Sequence, residues 1–161
     1  MIKEFNLLFI TFLKIGKIKF FPGTIASMIA CLLFLLLINF FSIVNLFFLT
    51  LLIALYSFVA INNSFDSFNS NDPQEIVIDE VVGQMLPLLA IPIYETLYMA
   101  PKENYCIAAF ILFRLFDIWK PFPINYIDKN IEGSIGVMLD DILAGIYTIV
   151  VLIIIFFFVG G

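Results

Sequence analysis

Arg114, Asp117 and Lys120 lie in the stretch FRLFDIWKPFPI, residues 113–124, at the end of an apolar run. On a helix these three fall within roughly a third of a turn of one another, so two cations and one carboxylate converge on one face. Pro121 and Pro123 stop the helix and leave that face at a boundary. An arginine fork matches phosphate oxygens, a lysine adds a movable point charge, and a carboxylate between them holds a metal or orients the cations. Taken alone, the same trio also describes two cations snorkelling at a membrane surface with an aspartate as local partner.

Two acid pairs accompany them: Asp79 and Glu80 in IVIDEVVG, residues 76–83, and Asp140 and Asp141 in GVMLDDILAG, residues 136–145. Both pairs are expected at helix starts, where the helix dipole favours carboxylates by a few tenths to about 1 kcal/mol, so capping accounts for either pair by itself. Each is followed by small residues, Gly83 in one case and Ala144 with Gly145 in the other, which let another helix approach closely. An earlier turn, FPGTIAS at residues 21–27, contains Gly23 for unusual dihedrals and Thr24 and Ser27 to cap the next helix or contact phosphate.

The elements that must position these groups are membrane helices. Of 161 residues, 63% are apolar, 17% aromatic and only 13% charged, too apolar for a water-soluble domain of this length. The expected fold is all-α: a polytopic helical bundle of about five spans, some kinked or short, forming a single domain over residues 1–161. Residues 1–20 read as an interfacial amphipathic segment with Lys3, Lys14, Lys17 and Lys19. Apolar runs follow at 25–41, 43–61, 81–99 and 105–119, with a last one ending at Val159. Pro87 and Pro92 interrupt the third run, which predicts a kinked helix buried among its neighbours.

The chain contains no histidine, so a phosphohistidine, a His base and a His-ligated zinc are all excluded. Cys31 and Cys106 sit inside apolar runs and behave as small hydrophobes. A net charge of −5 argues against a nucleic-acid partner.

Counting five crossings puts the FPGTIAS turn, the segment 72–80 and everything from Arg114 to Asp141 on one side of the membrane. Seven of the eight Lys and Arg residues share that side, and Lys102 alone lies across, so the motif side is cytoplasmic by the positive-inside rule. Asp79, Glu80, Arg114, Asp117, Asp140 and Asp141 near one interface then imply a shared polar pocket, since charges at membrane depth usually mark a site. Clustered carboxylates without His or Cys suit a hard, oxygen-ligated divalent ion, Mg²⁺ before Ca²⁺ where phosphate is involved.

In order and spacing, FPGTIAS, DPQEIVIDEVVG, FRLFDIWKPFPI and GVMLDDILAG resemble the phosphatidylglycerophosphatase A family, and the resemblance spans residues 16–145. Asp72, Asp79, Glu80, Gly83, Arg114, Asp117, Lys120, Pro121, Pro123, Gly136, Met138, Asp140, Asp141, Ala144 and Gly145 match position by position. Departures fall in the first motif, with Ala26 where the family favours Gly and Lys19 where Pro is common. The resemblance implies a Mg²⁺-dependent, multi-pass phosphatase of the bacterial inner membrane that converts phosphatidylglycerophosphate to phosphatidylglycerol.

On that reading Asp79, Glu80, Asp140 and Asp141 hold the metal, and with Asp117 they form the catalytic set. Arg114 and Lys120, with Thr24 and Ser27, bind the substrate phosphate. Metal-activated water and a carboxylate nucleophile both suit these residues. Two rivals remain, an alcohol phosphotransferase, whose Asp-rich spacing is absent, and a transporter or ion-binding membrane protein using the intramembrane acids. The oligomeric state is not legible.

The sidedness is directly testable. Single cysteines at Ser67 and Asn104, in a background lacking Cys31 and Cys106, are expected to label from opposite sides of the membrane; labelling of both from one side would remove the shared pocket.

Overall fold

Long runs of Leu, Ile and Phe punctuated by Pro and Gly fold into helices here, because in hydrocarbon each backbone group must be satisfied within its own segment. A computed structural model describes residues 2–65, 68 and 74–159, among which every regular element is helical. Asp72 and Ser67 lie outside the described residues, as does most of the expected polar loop. The order is α1 (Ile2–Ile10), a 3-10 turn (Ile15–Lys17), α2 (Pro22–Leu37), α3 (Ile43–Ser64), α4 (Ile78–Leu88), α5 (Ile91–Tyr98), α6 (Lys102–Trp119), α7 (Ile124–Asn130) and α8 (Gly133–Val159).

The five expected runs are all present as helices. Three stretches are long and apolar enough to cross a membrane: Ile43–Ser64, Ile78–Tyr98 and Gly133–Phe158. The other two are α2, apolar but shorter, and α6, which carries Lys102, Glu103, Arg114 and Asp117. Ser42 divides α2 from α3 as an N-cap, its Oγ accepting a hydrogen bond from the Asn45 N–H.

Three local expectations are corrected. Thr24 and Ser27 do not cap α2, because Pro22 already occupies its first turn and both residues lie inside the helix. Asp140 and Asp141 are not at a helix start: α8 begins at Gly133, which puts them about two turns in, beyond the reach of an N-terminal dipole. The amphipathic first segment is helical only to Ile10, where Phe12, Leu13 and Lys14 turn the chain through the left-handed region. There α1 packs on α3, with Tyr56 Oη donating to Asn6 Oδ1 at 2.7 Å, and Ile10 O accepts from Val77 N at 3.0 Å.

Helix α4 is the central element, flanked by α2, α6 and α8, with nine of its eleven residues buried. The predicted break is real: Pro87 lies in its last turn, and Leu89 and Ala90 separate it from α5. Pro87 has no N–H to offer the Gly83 carbonyl. That carbonyl instead faces α8, where a Cβ added to Gly145 would fall 2.5 Å from Gly83 O. A Cβ on Gly83 would in turn fall 2.6 Å from Asp141 O and 2.7 Å from the Phe113 ring. Backbone therefore meets backbone between α4 and α8, with α6 closing the third side.

At the opposite end of the bundle Lys102 Nζ donates to Asn39 Oδ1, and the rings of Tyr94, Tyr98, Tyr105 and Phe156 pack together. Tyr105 Oη also donates to Pro87 O at 3.0 Å, satisfying a carbonyl at the break.

Because the Gly145 neighbour is backbone, Gly145→Ala should cost about 1–3 kcal/mol of stability. A thermal-unfolding midpoint in detergent equal to that of the unmodified protein would show that α4 and α8 can separate without loss.

Candidate active site

The N-terminal ends of α2 and α4, the C-terminal end of α6 and the second turn of α8 surround a pocket of about 450 Å³. Its lining includes Thr24, Asp79, Glu80, Arg114, Asp117, Lys120, Asp140 and Asp141, so all but one of the sequence-predicted site residues meet. The exception is Ser27, whose Oγ donates to Gly23 O at 2.9 Å within α2 and is fully buried.

The acids divide into two groups. Carboxylate oxygens of Asp79, Glu80 and Asp141 lie within 4.8 Å of one another, close enough to share one ion. Asp140 instead accepts from Lys120 Nζ, at 2.8 Å on Oδ2, and its Oδ1 accepts from Asp141 N at 3.0 Å. Neighbours on a helix point about 100° apart, which is why Asp140 and Asp141 serve different partners. Asp79 and Asp141 are almost wholly buried, and Glu80 Oε2 is shielded from solvent with no hydrogen-bond partner among the described residues. Three like charges this close repel unless a cation lies among them.

The cations are held from the other side. Asp117 Oδ2 forms an ion pair at 2.6 Å with Arg114 Nη1, which is 3.8 Å from Glu80 Oε1, while neither Nη1 nor Nε makes a hydrogen bond among the described residues. Lys120 bridges Asp140 and Asp128, the latter supplied by α7. Burial alone would favour the neutral amine, but the two carboxylates outweigh it and push the Lys120 pKa up, so the ammonium persists across the working pH range.

Two residues of the rim are in the left-handed region without being glycine, Phe21 (φ 51°) and Lys120 (φ 45°). Such conformations cost about 1–3 kcal/mol each and persist only where the surroundings enforce them. Lys120 ends α6 with its N–H donating to Phe116 O at 2.8 Å, and Pro121 follows. Gly23 makes room for Glu80, because a Cβ there would sit 1.7 Å from Glu80 Oε1.

An oxygen-donor cluster thus stands beside an arginine and a lysine, the residue types that phosphoryl transfer uses. The profile of the phosphatidylglycerophosphatase A family matches residues 8–156. The chain belongs to the phosphatidylglycerophosphatase A family. It is therefore a phosphatase, carried on an all-α membrane bundle. A Haemophilus influenzae protein named phosphatidylglycerophosphatase A is 35% identical over 84% of this chain and 79% of its own length. An Escherichia coli protein of the same name is 40% identical over 47% of this chain and 40% of its own. A Bacteroides thetaiotaomicron protein, provisionally named a phosphatidylinositol-3-phosphatase, is 37% identical over 85% of this chain and 84% of its own. No solved structure matches the chain.

Sequence reasoning missed several pocket residues. Lys19, Phe21, Gln74, Ile76 and Ile118 all line it. Gln74 and Ile76 lie in the same stretch as Asp79, Phe21 opens the FPGTIAS turn and Lys19 lies two residues before it, so motif membership or adjacency was the available signal. Gln84, one turn beyond Glu80, is fully buried with both amide atoms unpartnered among the described residues, and only the fold singles it out.

The Gly23 contact supplies a test for this family member. Gly23→Ala should displace the Glu80 carboxylate and lower kcat/KM for phosphate release roughly 100-fold, with the unfolding midpoint little changed. Full activity in a folded Gly23→Ala protein would mean that Glu80 need not occupy this position.

Proposed function

We propose that the chain hydrolyses the terminal phosphomonoester of phosphatidylglycerophosphate, releasing phosphatidylglycerol and inorganic phosphate, with Mg²⁺ as cofactor. The active site faces the cytoplasm at a bacterial inner membrane, the side that carries seven of the eight Lys and Arg residues. One observation carries the reading: Asp79, Glu80 and Asp141 converge within 4.8 Å in the same pocket as Arg114 and Lys120. Family membership and the names of the Haemophilus and Escherichia relatives supply the substrate.

The donor set fits Mg²⁺, since all the converging atoms are carboxylate oxygens and Glu80 Oε2 has no other partner among the described residues. Asp79, Glu80 and Asp141 would hold the ion. When bound, it supplies charge for the phosphoryl oxygens and lowers the pKa of a coordinated water.

The remaining work falls to the side chains around it. Asp117 holds the guanidinium by an ion pair and leaves Arg114 Nη1 and Nε without hydrogen-bond partners among the described residues, so Arg114 has donors free for two phosphoryl oxygens. Lys120, kept protonated by Asp128 and Asp140, adds a positive charge where negative charge grows in the transition state. Asp140 acts through Lys120 in this arrangement. Thr24 lines the same cavity and offers a hydroxyl to the leaving phosphate.

Phosphate release by the purified protein separates this reading from a transporter or a phosphotransferase. Asp79→Asn and Asp141→Asn should each lower kcat by two orders of magnitude or more without unfolding the protein, with partial recovery at raised Mg²⁺ if affinity is what is lost. Near-normal turnover in either variant at limiting Mg²⁺ would remove that carboxylate from the metal set.

A further inference from the structure

Three cations line the pocket, and two are already matched by carboxylates: Arg114 by Asp117 and Lys120 by Asp128 and Asp140. Lys19 is different. Among the described residues its ammonium has no carboxylate partner, and it lies 5.8 Å from the centroid of the Phe20 ring. Lys19 is exposed, whereas Asp79 and Asp141 at the other side of the cavity are 8% and 3% exposed. The cavity thus runs from an uncompensated cation at its rim to the acid cluster at its depth.

Exposed apolar side chains also stand at the rim. Phe21 and Ile118 line the cavity, and Phe20, Trp119 and Phe122 beside them are exposed, a surface suited to the acyl chains of a membrane lipid. A volume of about 450 Å³ exceeds what one phosphate group requires and leaves space for a second polar group between the acids and the rim. In a glycerophospholipid with a phosphorylated headgroup, the group nearest the acyl chains is the phosphodiester. It carries one negative charge.

We propose that Lys19 forms a second anion subsite at the pocket rim, which takes the phosphodiester of a lipid whose phosphomonoester lies deeper, against Arg114 and Lys120. The subsite selects lipids carrying both groups over phosphatidate, which carries the phosphomonoester alone. The inference rests on the lipid-phosphatase reading above but not on the identity of the headgroup, because glycerol and inositol headgroups are attached through the same diester.

The experiment compares the unmodified protein with Lys19→Ala and Lys19→Arg in neutral detergent micelles at saturating Mg²⁺. The readout is the ratio of kcat/KM for phosphatidylglycerophosphate to that for phosphatidate, with phosphatidylinositol 3-phosphate as a second diester-bearing substrate. Lys19→Ala should lower the ratio about tenfold, mainly through KM, and Lys19→Arg should restore most of it. An unchanged ratio would overturn the subsite, whether both rates fall together or neither moves.

A second measurement does not depend on turnover. Trp119 is the single tryptophan and adjoins the pocket residues Ile118 and Lys120, so its emission reports titration with short-chain phosphatidylglycerol, which has the diester and no monoester. Binding about tenfold weaker in Lys19→Ala supports the subsite even if phosphatidylglycerophosphate proves not to be hydrolysed, an outcome that would overturn the proposed substrate alone. Equal binding by both proteins overturns the subsite while leaving that substrate standing.

Discussion

The approach of α4 to α8 through Gly83 and Gly145 is the constraint on which the pocket depends. A side chain at either glycine would strike backbone carbonyl oxygen at about 2.5 Å, so the helices meet at a distance that only glycine permits. In a bilayer, apolar area gives little drive for helix to join helix, and close van der Waals packing takes its place. The same approach brings Asp79 and Glu80, one turn before Gly83, opposite Asp141, one turn before Gly145. Pro87 contributes by leaving the Gly83 carbonyl without its usual helical partner, so the contact is made where α4 is least regular.

Three converging carboxylates oppose that packing, and the remaining pocket residues are arranged around the conflict. Arg114 reaches the cluster through Glu80, and Lys120 draws Asp140 away from it. Both cations come from the end of α6, where Lys120 adopts a left-handed backbone conformation; Phe21 does the same at the start of α2. Gly23 leaves the gap that the Glu80 carboxylate fills. Strain at the rim and repulsion in the interior are both sustained by the buried body of α4, the most extensively buried of the candidate spans. On the proposed function such a site would take up a cation and an anion together, as phosphoryl transfer requires.

Much of this is legible in the sequence. Apolar composition with few charges demanded a helical membrane protein, and Pro87 with Pro92 demanded a broken span that neighbours must cover. An absence of histidine narrowed the chemistry to carboxylates, cations and hydroxyls. Acids and cations at the ends of separate apolar runs pointed to one pocket, because charge at membrane depth is costly unless it is shared. These inferences hold because hydrophobic burial and backbone satisfaction act on composition and period, both of which are local properties of the chain.

What each side chain does within the pocket was decided by tertiary structure. Asp140 and Asp141 are adjacent and chemically identical, yet one faces Lys120 and the other the acid cluster, since the direction of each depends on how α8 is rotated against α4 and α6. Where α8 begins was equally non-local: seven residues of helix precede Asp140, which removes the capping explanation that motif spacing allowed. Ser27 turned inward to Gly23 O while Thr24 kept its place in the cavity, and Lys19 came to the rim from a turn that has no pattern of its own. Sequence period reports which face of a helix is apolar, whereas the rotation and approach that assign partners arise only when the helices pack.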